Sequence, residues 1–269
     1  MDQRERLPRI LRQRDLVLFA LICIAPVTPF VLFGFVSAAA KGAVVLPYVL
    51  GALGMAFTAL SYGSMAQAAP QAGSVYGYGR MAMGTMIGFL GGWAILLDYL
   101  LLVSLAVLYA AIYLNITLPA LPLEAIIAAF LLVMLGVNLR GLQLSARINL
   151  IISAIEIALA AGFVLAALKA LLGPGTGITL TPLWPSDNTI GHVVAGTPLA
   201  IIAFLGFDAV ATLAEEVRDP DPGRAIGRAA LMALAFMLTL FVVIDWLLGD
   251  LGTGIAITDP ASAAAEIFA

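Results

Sequence analysis

The stretch ICIAPVTPF at residues 22–30 places Pro26 and Pro29 inside the first long apolar run of the chain. A proline lacks the backbone N–H of other residues, and its ring clashes with the carbonyl four residues earlier, so it kinks or breaks a helix. In a membrane, backbone groups freed in this way need partners from neighbouring helices, water or a ligand. The stretch therefore predicts a broken helix, which is either a simple kink or part of a binding site.

The composition places this run in a membrane. Hydrophobic residues make up 62% of the chain, charged residues make up 11%, and the mean hydropathy is +1.08, which leaves too little polar surface for a globule in water. Apolar stretches of about 20 residues recur, and each can cross about 30 Å of hydrocarbon. We therefore predict an all-α integral membrane protein with seven spans, at residues 16–40, 47–67, 86–113, 121–139, 148–172, 192–214 and 229–249.

The basic residues predict the orientation of these spans. All the arginines lie in the N-terminal tail or in the second, fourth and sixth connections, whereas Lys41 and Lys169 lie on the opposite side. By the positive-inside rule the N-terminus is cytoplasmic, and we expect the protein in the plasma membrane. A cleaved signal peptide is the disfavoured alternative, since the first apolar run exceeds the about 7–15 residues of a signal core.

Chemistry other than transport has few candidate residues. Cys23 is the single cysteine and His192 the single histidine, so the chain offers neither a disulfide nor a thiolate or multi-histidine metal site. The sequence contains no GxxxxGK[ST] phosphate loop and no evident nucleophile, base and acid set. We therefore expect no enzymatic activity, no cofactor, no metal and no nucleic-acid partner.

The sixth span contains a second interruption. Gly206 lies at its centre within AFLGFDAV, and Asp208 follows two residues later. Because five spans separate the first from the sixth, an odd offset, the two run in opposite directions through the membrane. Interruptions at corresponding positions of two inverted halves are typical of the substrate site of secondary transporters. The pairing favours a binding site over a simple proline kink in the first span.

Acidic side chains inside three spans are further candidates for function. Asp98, Glu156 and Asp208 each cost at least about 2.5 kcal/mol at mid-depth unless they are neutral, paired or hydrated. Asp208 either contributes to the binding site or caps the N–H groups freed at the break. Glu156 is either a protonatable coupling group or a carboxyl hydrogen-bonded between helices, and Asp98 is a candidate structural partner. A charged cluster at the cytoplasmic end of the sixth span, either a solvated surface or a gate, comprises Arg80, Glu215 and Glu216.

Two connections between spans have unusual sequences. The cytoplasmic connection at residues 70–85 is rich in glycine and aromatic residues, and we predict that it lies at the membrane interface or re-enters the protein. Gly84, Gly88 and Gly92 predict close helix packing at the start of the third span. The external loop at residues 173–191 is either a connector or a lid.

Three motifs occur in the order found in a known transporter family. They are FTALSYGSMAQAAPQAGSVYGYGR at residues 57–80, GFLGGWAILLDYL at residues 88–100 and AFLGFDAVATLAEEVRDPDPGRAIGRA at residues 203–229. With these motifs the chain resembles the amino acid-polyamine-organocation permeases, and within them the putrescine-importer-like branch.

The resemblance implies a leucine-transporter-like fold, in which two inverted five-helix repeats hold the substrate between the unwound parts of spans one and six. Residues 1–15 would form a cytoplasmic tail, 16–172 the first repeat, 173–191 the external loop and 192–269 the start of the second repeat. Glu156 matches the position of a lysine that replaces a sodium ion in some proton-coupled members, which implies coupling to protons. The implied substrate-binding residues are Ala25, Pro26, Val27, Thr28, Tyr99, Leu205, Gly206, Phe207 and Asp208.

Two features depart from the family pattern. Putrescine importers carry an acid where this chain has Val31, which favours a neutral or zwitterionic amino acid over a dication. The chain also stops at Ala269, just after the seventh span, so the later spans that would complete the second repeat are missing.

These observations lead to one preferred function and two alternatives. We expect part of a secondary transporter that moves a small amino acid or amine by alternating access, coupled to protons. The first alternative is a truncated, non-transporting membrane protein that binds a ligand or a partner subunit, and a partner chain could also supply the missing helices. A seven-span receptor is less favoured, because it leaves the paired breaks unexplained.

Overall fold

The computed structural model describes residues 9–68, 74–140, 142–173, 177–185 and 189–268. Parts of the predicted segments lie outside these ranges, namely Arg4 and Arg6 of the basic tail, residues 70–73 of the Gly-rich connection, and residues 174–176 and 186–188 of the external loop. The side chain of Arg147 also lies outside the described part.

The predicted spans are mainly helical in the described residues, with breaks at residues 24–27 and 203–206, which confirms the all-α prediction. Two prolines begin helices, since Pro222 is the first residue of α9 and Pro29 the second residue of α2. The missing proline N–H would have no intrahelical partner at these positions. The helices are α1 (Gln13–Cys23), α2 (Thr28–Ala39), α3 (Val45–Ala68), α4 (Ser74–Met83), α5 (Thr85–Thr117), α6 (Leu123–Leu139), α7 (Leu142–Leu171), α8 (Ile190–Ile202), a 3₁₀ helix (Phe207–Glu216), α9 (Pro222–Leu251) and α10 (Ala263–Phe268).

Within the described residues, length and composition identify up to six membrane spans. Five helical segments are long and apolar enough to cross a membrane, and α1 with α2, bent by 54° at their break, would make a sixth. Helix α6 lies where the fourth span is predicted, but its 17 residues are at the lower end of the about 17–25 that cross a bilayer. We call α1–α2 span 1, α3 span 2, α5 span 3, α6 span 4, α7 span 5, α8 with the 3₁₀ helix span 6, and α9 span 7.

The chain divides into two compact units. Unit 1 comprises Met1–Ile24, Val49–Asp98 and Ile201–Leu240, and unit 2 comprises Ala25–Tyr48, Tyr99–Ala200 and Phe241–Ala269. Each unit contains residues from both predicted repeats. The division of the sequence into inverted repeats remains a prediction.

In unit 1, backbone hydrogen bonds join the chain before span 1 to the end of span 6. Leu11 and Val217 form an isolated parallel β-bridge. The N–H groups of Ile10 and Leu11 both donate to the Glu216 carbonyl at 3.0 Å, and the N–H of Arg218 donates to the Leu11 carbonyl at 2.9 Å. Helix α1, which follows directly, packs against the 3₁₀ helix. The first half of span 1 and the second half of span 6 are therefore held together by both main chain and side chains.

Also in unit 1, α4 folds back along the start of α5. Gly84 between them has φ of 93°, a conformation that glycine adopts readily. A methyl group on Gly88 would lie 2.6 Å from the Cβ of Arg80, and one on Gly92 would lie 3.1 Å from the ring of Tyr76. The predicted close packing is confirmed at Gly88 and Gly92, where the partner is α4, but it is wrong at Gly84, where a methyl group would meet nothing within 4 Å.

In unit 2, α10 lies against α2. Gly34 leaves room for it, because a methyl group there would lie 2.6 Å from the Cβ of Ala263. Aromatic rings extend this contact: Phe163 packs edge-on against Phe30 at 5.0 Å and against Phe268 at 5.6 Å between ring centroids. The segment after span 7 is thus fixed to the second half of span 1.

The described part of the external loop, also in unit 2, is bonded to the end of α9. The N–H and hydroxyl of Thr179 donate to the two carboxylate oxygens of Asp250 at 3.0 and 2.6 Å. The indole N–H of Trp246 donates to the Thr179 carbonyl at 2.7 Å. This part of the loop therefore has fixed attachments to span 7.

Candidate functional site

The break in span 1 is a tight turn with its own hydrogen bonds. Helix α1 ends at Cys23, and Pro26, which has no N–H, prevents α2 from continuing it. The N–H and the hydroxyl of Thr28 both donate to the Ala25 carbonyl, at 3.1 and 2.7 Å. The N–H of Phe30 donates to the Val27 carbonyl at 3.1 Å. The carbonyls of Ala25 and Val27, which the sequence predicts to be free, therefore already accept local hydrogen bonds.

The break in span 6 is centred on Gly206, as the sequence predicts. Helix α8 ends at Ile202, residues 203–206 form turns, and the chain resumes as a 3₁₀ helix at Phe207. Gly206 has φ of 102° and ψ of −17°. The 3₁₀ helix has 10 residues, whereas runs longer than about 3–4 residues are uncommon and often mark a hinge or strain. The second half of span 6 is therefore a candidate moving element.

Unit 1 brings the end of α1 directly against this second break. A Cβ built on Gly206 would overlap the carbonyl oxygen of Cys23 and lie 2.9 Å from its carbonyl carbon. Glycine is thus required twice at this position, once for the positive φ and once for the close approach of two backbones. Cys23 lies two residues before Ala25, where the predicted binding segment of span 1 begins. Its carbonyl contacts Gly206, which belongs to the predicted binding segment of span 6.

Asp208 lies at the start of the 3₁₀ helix, near backbone N–H groups. Its carboxyl group is beside the N–H groups of Gly206, Asp208 and Ala209, and it is close enough to Asp98 and Cys23 to interact with them electrostatically. A carboxylate is favoured at the N-terminal end of a helix, where N–H groups are unpaired. This position supports the capping role predicted for Asp208, and it places Asp98 as a neighbour of the same break.

Aromatic side chains in unit 1 support the break from the other side. Phe207, which is 3% exposed, packs edge-on against Tyr62 with 6.2 Å between ring centroids. Tyr62 in turn packs against Tyr78 of α4 at 6.1 Å. Sequence reasoning did not single out Tyr62 or Tyr78, although both lie in the motif at residues 57–80 that carries the family resemblance.

Tyr99 and Glu156, like the predicted residues 25–28 of span 1, belong to unit 2. Tyr99 lies on α5 with 39% of its surface exposed. Glu156 lies on α7 and is half-buried between exposed neighbours such as Ile155 and Ile157. The roles of both as pocket aromatic and coupling acid stay predictions.

The predicted cytoplasmic gate is not formed by an ion pair between Arg80 and Glu216 in the described residues. The guanidinium of Arg80 lies 3.5 Å from the hydroxyl of Tyr76, on its own helix. Glu215 and Glu216 end the 3₁₀ helix, where the Glu216 carbonyl accepts the backbone hydrogen bonds of the N-terminal tail. The gate therefore stays a prediction.

A cavity of about 480 Å³ in unit 1 is separate from the predicted binding residues, none of which lines it. The cavity is lined by Arg9, Ala66, Gln67, Pro220, Asp221 and Pro222.

Among the described residues, no group of three or more His, Cys, Asp or Glu side chains could hold a metal ion.

Comparison with known proteins agrees with this architecture. The family model for amino acid permeases matches residues 15–262. The chain is 31% identical over 248 residues to the low-affinity putrescine importer PlaP of Escherichia coli strain K12, covering 91% of this chain and 54% of the relative. It is 27% identical to the methylthioribose transporter of Bacillus subtilis strain 168, with coverage of 92% and 56%, and 27% identical to the branched-chain amino acid permease BcaP of the same strain, with coverage of 89% and 54%.

The chain spans about half the length of these curated relatives. The family match covers most of the chain and includes both broken spans, the α4–α5 hairpin and span 7. The chain is therefore a multi-pass membrane protein that belongs to the amino acid permease family.

Proposed function

We propose that the chain forms the substrate-binding part of a secondary active permease that moves a small amino acid or related amine by alternating access. The observation that carries this proposal is the contact of Gly206 with the Cys23 carbonyl, where the break of span 6 meets the end of α1. Broken helices at membrane depth persist where they line a cavity or a ligand site. A purely structural kink would not require two interrupted spans in one protein to meet.

The proposed mechanism uses the second half of span 6 as the moving element. The Asp208 carboxyl group, which lies beside the N–H groups of its first turn, can attract a substrate ammonium. Helix α1 and the 3₁₀ helix move together, because the Leu11–Val217 bridge and the Gly206 contact join them at both ends. Rotation at Gly206 then opens the site toward the cytoplasm.

We further propose that the substrate is amino acid-like or amine-like. Relatives that this chain matches are named as importers of putrescine and as transporters of branched-chain amino acids and methylthioribose. Val31, at the position where putrescine importers carry an acid, favours a neutral or zwitterionic amino acid over putrescine. Competition by unlabelled putrescine, leucine and methylthioribose against labelled amino acid uptake tests this substrate preference. Inhibition by putrescine alone would instead favour putrescine as the substrate.

Proton coupling through Glu156 is part of the proposal. A half-buried carboxyl on an otherwise apolar helix can be neutral or charged depending on hydration, which suits a proton carrier. In proteoliposomes with the full-length gene product, an inward proton gradient should increase uptake, and Glu156→Gln should remove this increase. Glu124→Gln, at the exposed start of α6, is the matched control and should behave like the wild type. Uptake that ignores the gradient would refute the coupling.

The orientation is proposed from the arginine distribution, with the N-terminus in the cytoplasm and the protein in the plasma membrane. Alkaline phosphatase fused within residues 177–185 should be active, whereas a fusion after Arg80 should be inactive. The reverse pattern would overturn this orientation.

Long helices with little burial suggest further helical partners. Thr85–Thr117 and Ile148–Leu171 are the least buried of the five long spans. We propose that their apolar surfaces face lipid and additional transmembrane helices, from a longer gene product or from a partner chain. Co-purification tests the partner chain, and ligand-dependent stabilisation without counterflow would instead favour a binding protein that does not transport.

A further inference from the structure

Asp245 is a buried acid that the sequence analysis did not single out. It lies in the apolar run VVIDWLLG of α9, and an acid within a predicted span indicates a candidate functional residue. Its side chain is 0% exposed, and both carboxylate oxygens are inaccessible to solvent. An acid buried to this extent needs either a cation, several hydrogen-bond donors or a proton of its own.

The side chain that faces Asp245 is Tyr48 of α3, in the same unit. Tyr48 is also 0% exposed, and its hydroxyl lies beside the carboxyl group of Asp245. The ring of Phe241, one turn earlier on α9, packs edge-on against the Tyr48 ring at 6.0 Å. The pair therefore occupies an apolar environment closed by aromatic rings.

Other charged groups near this part of α9 do not reach Asp245. Among the described residues, Tyr48 is the one titratable group found to interact with its carboxyl group. Asp250, on the same helix, is bonded to Thr179. Lys169 of α7, a helix that packs on α9 through Leu247, has an exposed side chain.

The contrast between the two acids of α9 indicates their different charge states. Asp250 accepts hydrogen bonds from the N–H and the hydroxyl of Thr179, which stabilise a negative charge. Asp245 has a single neutral hydroxyl beside it, which leaves most of its lone pairs unsatisfied if it is ionised. A hard metal cation is a poor alternative, since ions such as calcium take about 6–8 oxygen ligands. A proton satisfies the carboxyl group with no further ligand.

We propose that Asp245 and Tyr48 form a buried proton-binding site between spans 2 and 7, in which Asp245 carries the proton and the Tyr48 hydroxyl lies beside the protonated carboxyl group. The proton is released to water when α9 moves away from Tyr48 and water reaches the carboxyl group. This site is distinct from Glu156, and it goes beyond the proposed transport function because its occupancy does not depend on any substrate.

Infrared spectroscopy of the purified chain at neutral pH tests the proposal. The wild type should show the carbonyl-stretch band of a protonated carboxylic acid. Asp245→Asn should lose a band that Asp250→Asn and Glu156→Gln retain, and Tyr48→Phe should shift its frequency because the polar hydroxyl beside the carboxyl group is removed. A carboxylic-acid band that is identical in the wild type and Asp245→Asn would overturn the proposal.

Thermal stability as a function of pH gives an independent readout. If the folded chain holds a proton that the unfolded chain releases, each unit of rising pH above neutral favours unfolding by up to about ten-fold through this group. Asp245→Asn should fold, because asparagine has the same shape and no charge, and should lose this part of the pH dependence. An unchanged pH dependence, or stabilisation of the wild type by sodium that Asp245→Asn abolishes, would overturn the proposal. Neither measurement uses transport, so failure here is distinguishable from failure of the permease assay.

Discussion

Replacing Gly206 with alanine tests whether the break of span 6 requires a residue without a side chain. Gly206 has φ of 102°, and an L-residue in the left-handed region costs roughly 1–2 kcal/mol. The new methyl would also overlap the Cys23 carbonyl oxygen, which adds roughly 1–3 kcal/mol for overpacking. We therefore expect the free energy of unfolding of Gly206→Ala to fall by roughly 2–5 kcal/mol.

Gly254→Ala is the matched control for this experiment. Gly254 has φ of 84°, but a Cβ there would meet nothing within 4 Å, so the variant measures backbone strain alone. Thermal denaturation in detergent resolves the two, since Tm shifts by about 2–4 °C per kcal/mol in chains of about this size. The expected decrease is about 4–20 °C for Gly206→Ala and about 2–8 °C for Gly254→Ala.

A second substitution at the contact identifies the atom responsible. Cys23→Ala removes the thiol but leaves the carbonyl oxygen that the new methyl would overlap. The double variant Gly206→Ala/Cys23→Ala should therefore be no more stable than Gly206→Ala. Equal Tm decreases for Gly206→Ala and Gly254→Ala, or rescue by Cys23→Ala, would refute the proposed close approach of the two backbones.

Three further predictions concern other contacts. The hydrogen bond from the Thr258 N–H is the main cause that lowers the pKa of the half-buried Glu266 to about 2. The amide of Thr258 should therefore be fully protected from hydrogen exchange above pH 4.5, the ordinary pKa of a glutamate, and should lose this protection as pH falls through about 2. Glu266→Gln should lack the protection at neutral pH. Equal protection in the wild type and the variant would contradict this prediction. Gly34→Leu should displace α10 and increase hydrogen exchange there, because the new side chain occupies the space of Ala263, while Gly162→Leu, at an open position, should not. Gly88→Leu should detach α4 from α5 and expose α4 to proteases, again relative to Gly162→Leu, and unchanged cleavage would argue against the hairpin.

The helical architecture was predictable because hydrophobicity and helix breakers act locally. Apolar runs gave the positions of the spans, and the two breaks fall where Pro26 and Gly206 indicated. The packing of Gly88 and Gly92 was predictable for the same reason, since small residues at a spacing of four form one face of a helix. The predicted end of the fourth span at residue 139 agrees with α6, which begins two residues later than predicted, at Leu123 after Pro122.

The candidate site was less predictable, because its details depend on contacts between distant residues. The sequence indicated free carbonyls at the first break, but the Thr28 hydroxyl folds back onto the Ala25 carbonyl. Phe207 was predicted as a site residue, but its aromatic partner Tyr62 was not, because Tyr62 belongs to a different span. The positions of Asp98, Glu156 and Asp208 within their predicted spans indicated their depth in the membrane. Their burial, however, depends on neighbouring helices.

The bridge between Leu11 and Val217 has a consequence for biosynthesis. Its two residues lie about 200 positions apart in the sequence, and ribosomes add about 5–20 residues per second, so roughly 10–40 s separate their synthesis. During that interval the first half-helix has entered the membrane without the main-chain partner that later fixes it. The start of this protein therefore reaches its final position only after the sixth span has emerged, so a stalled or shortened nascent chain would leave its first helix unanchored.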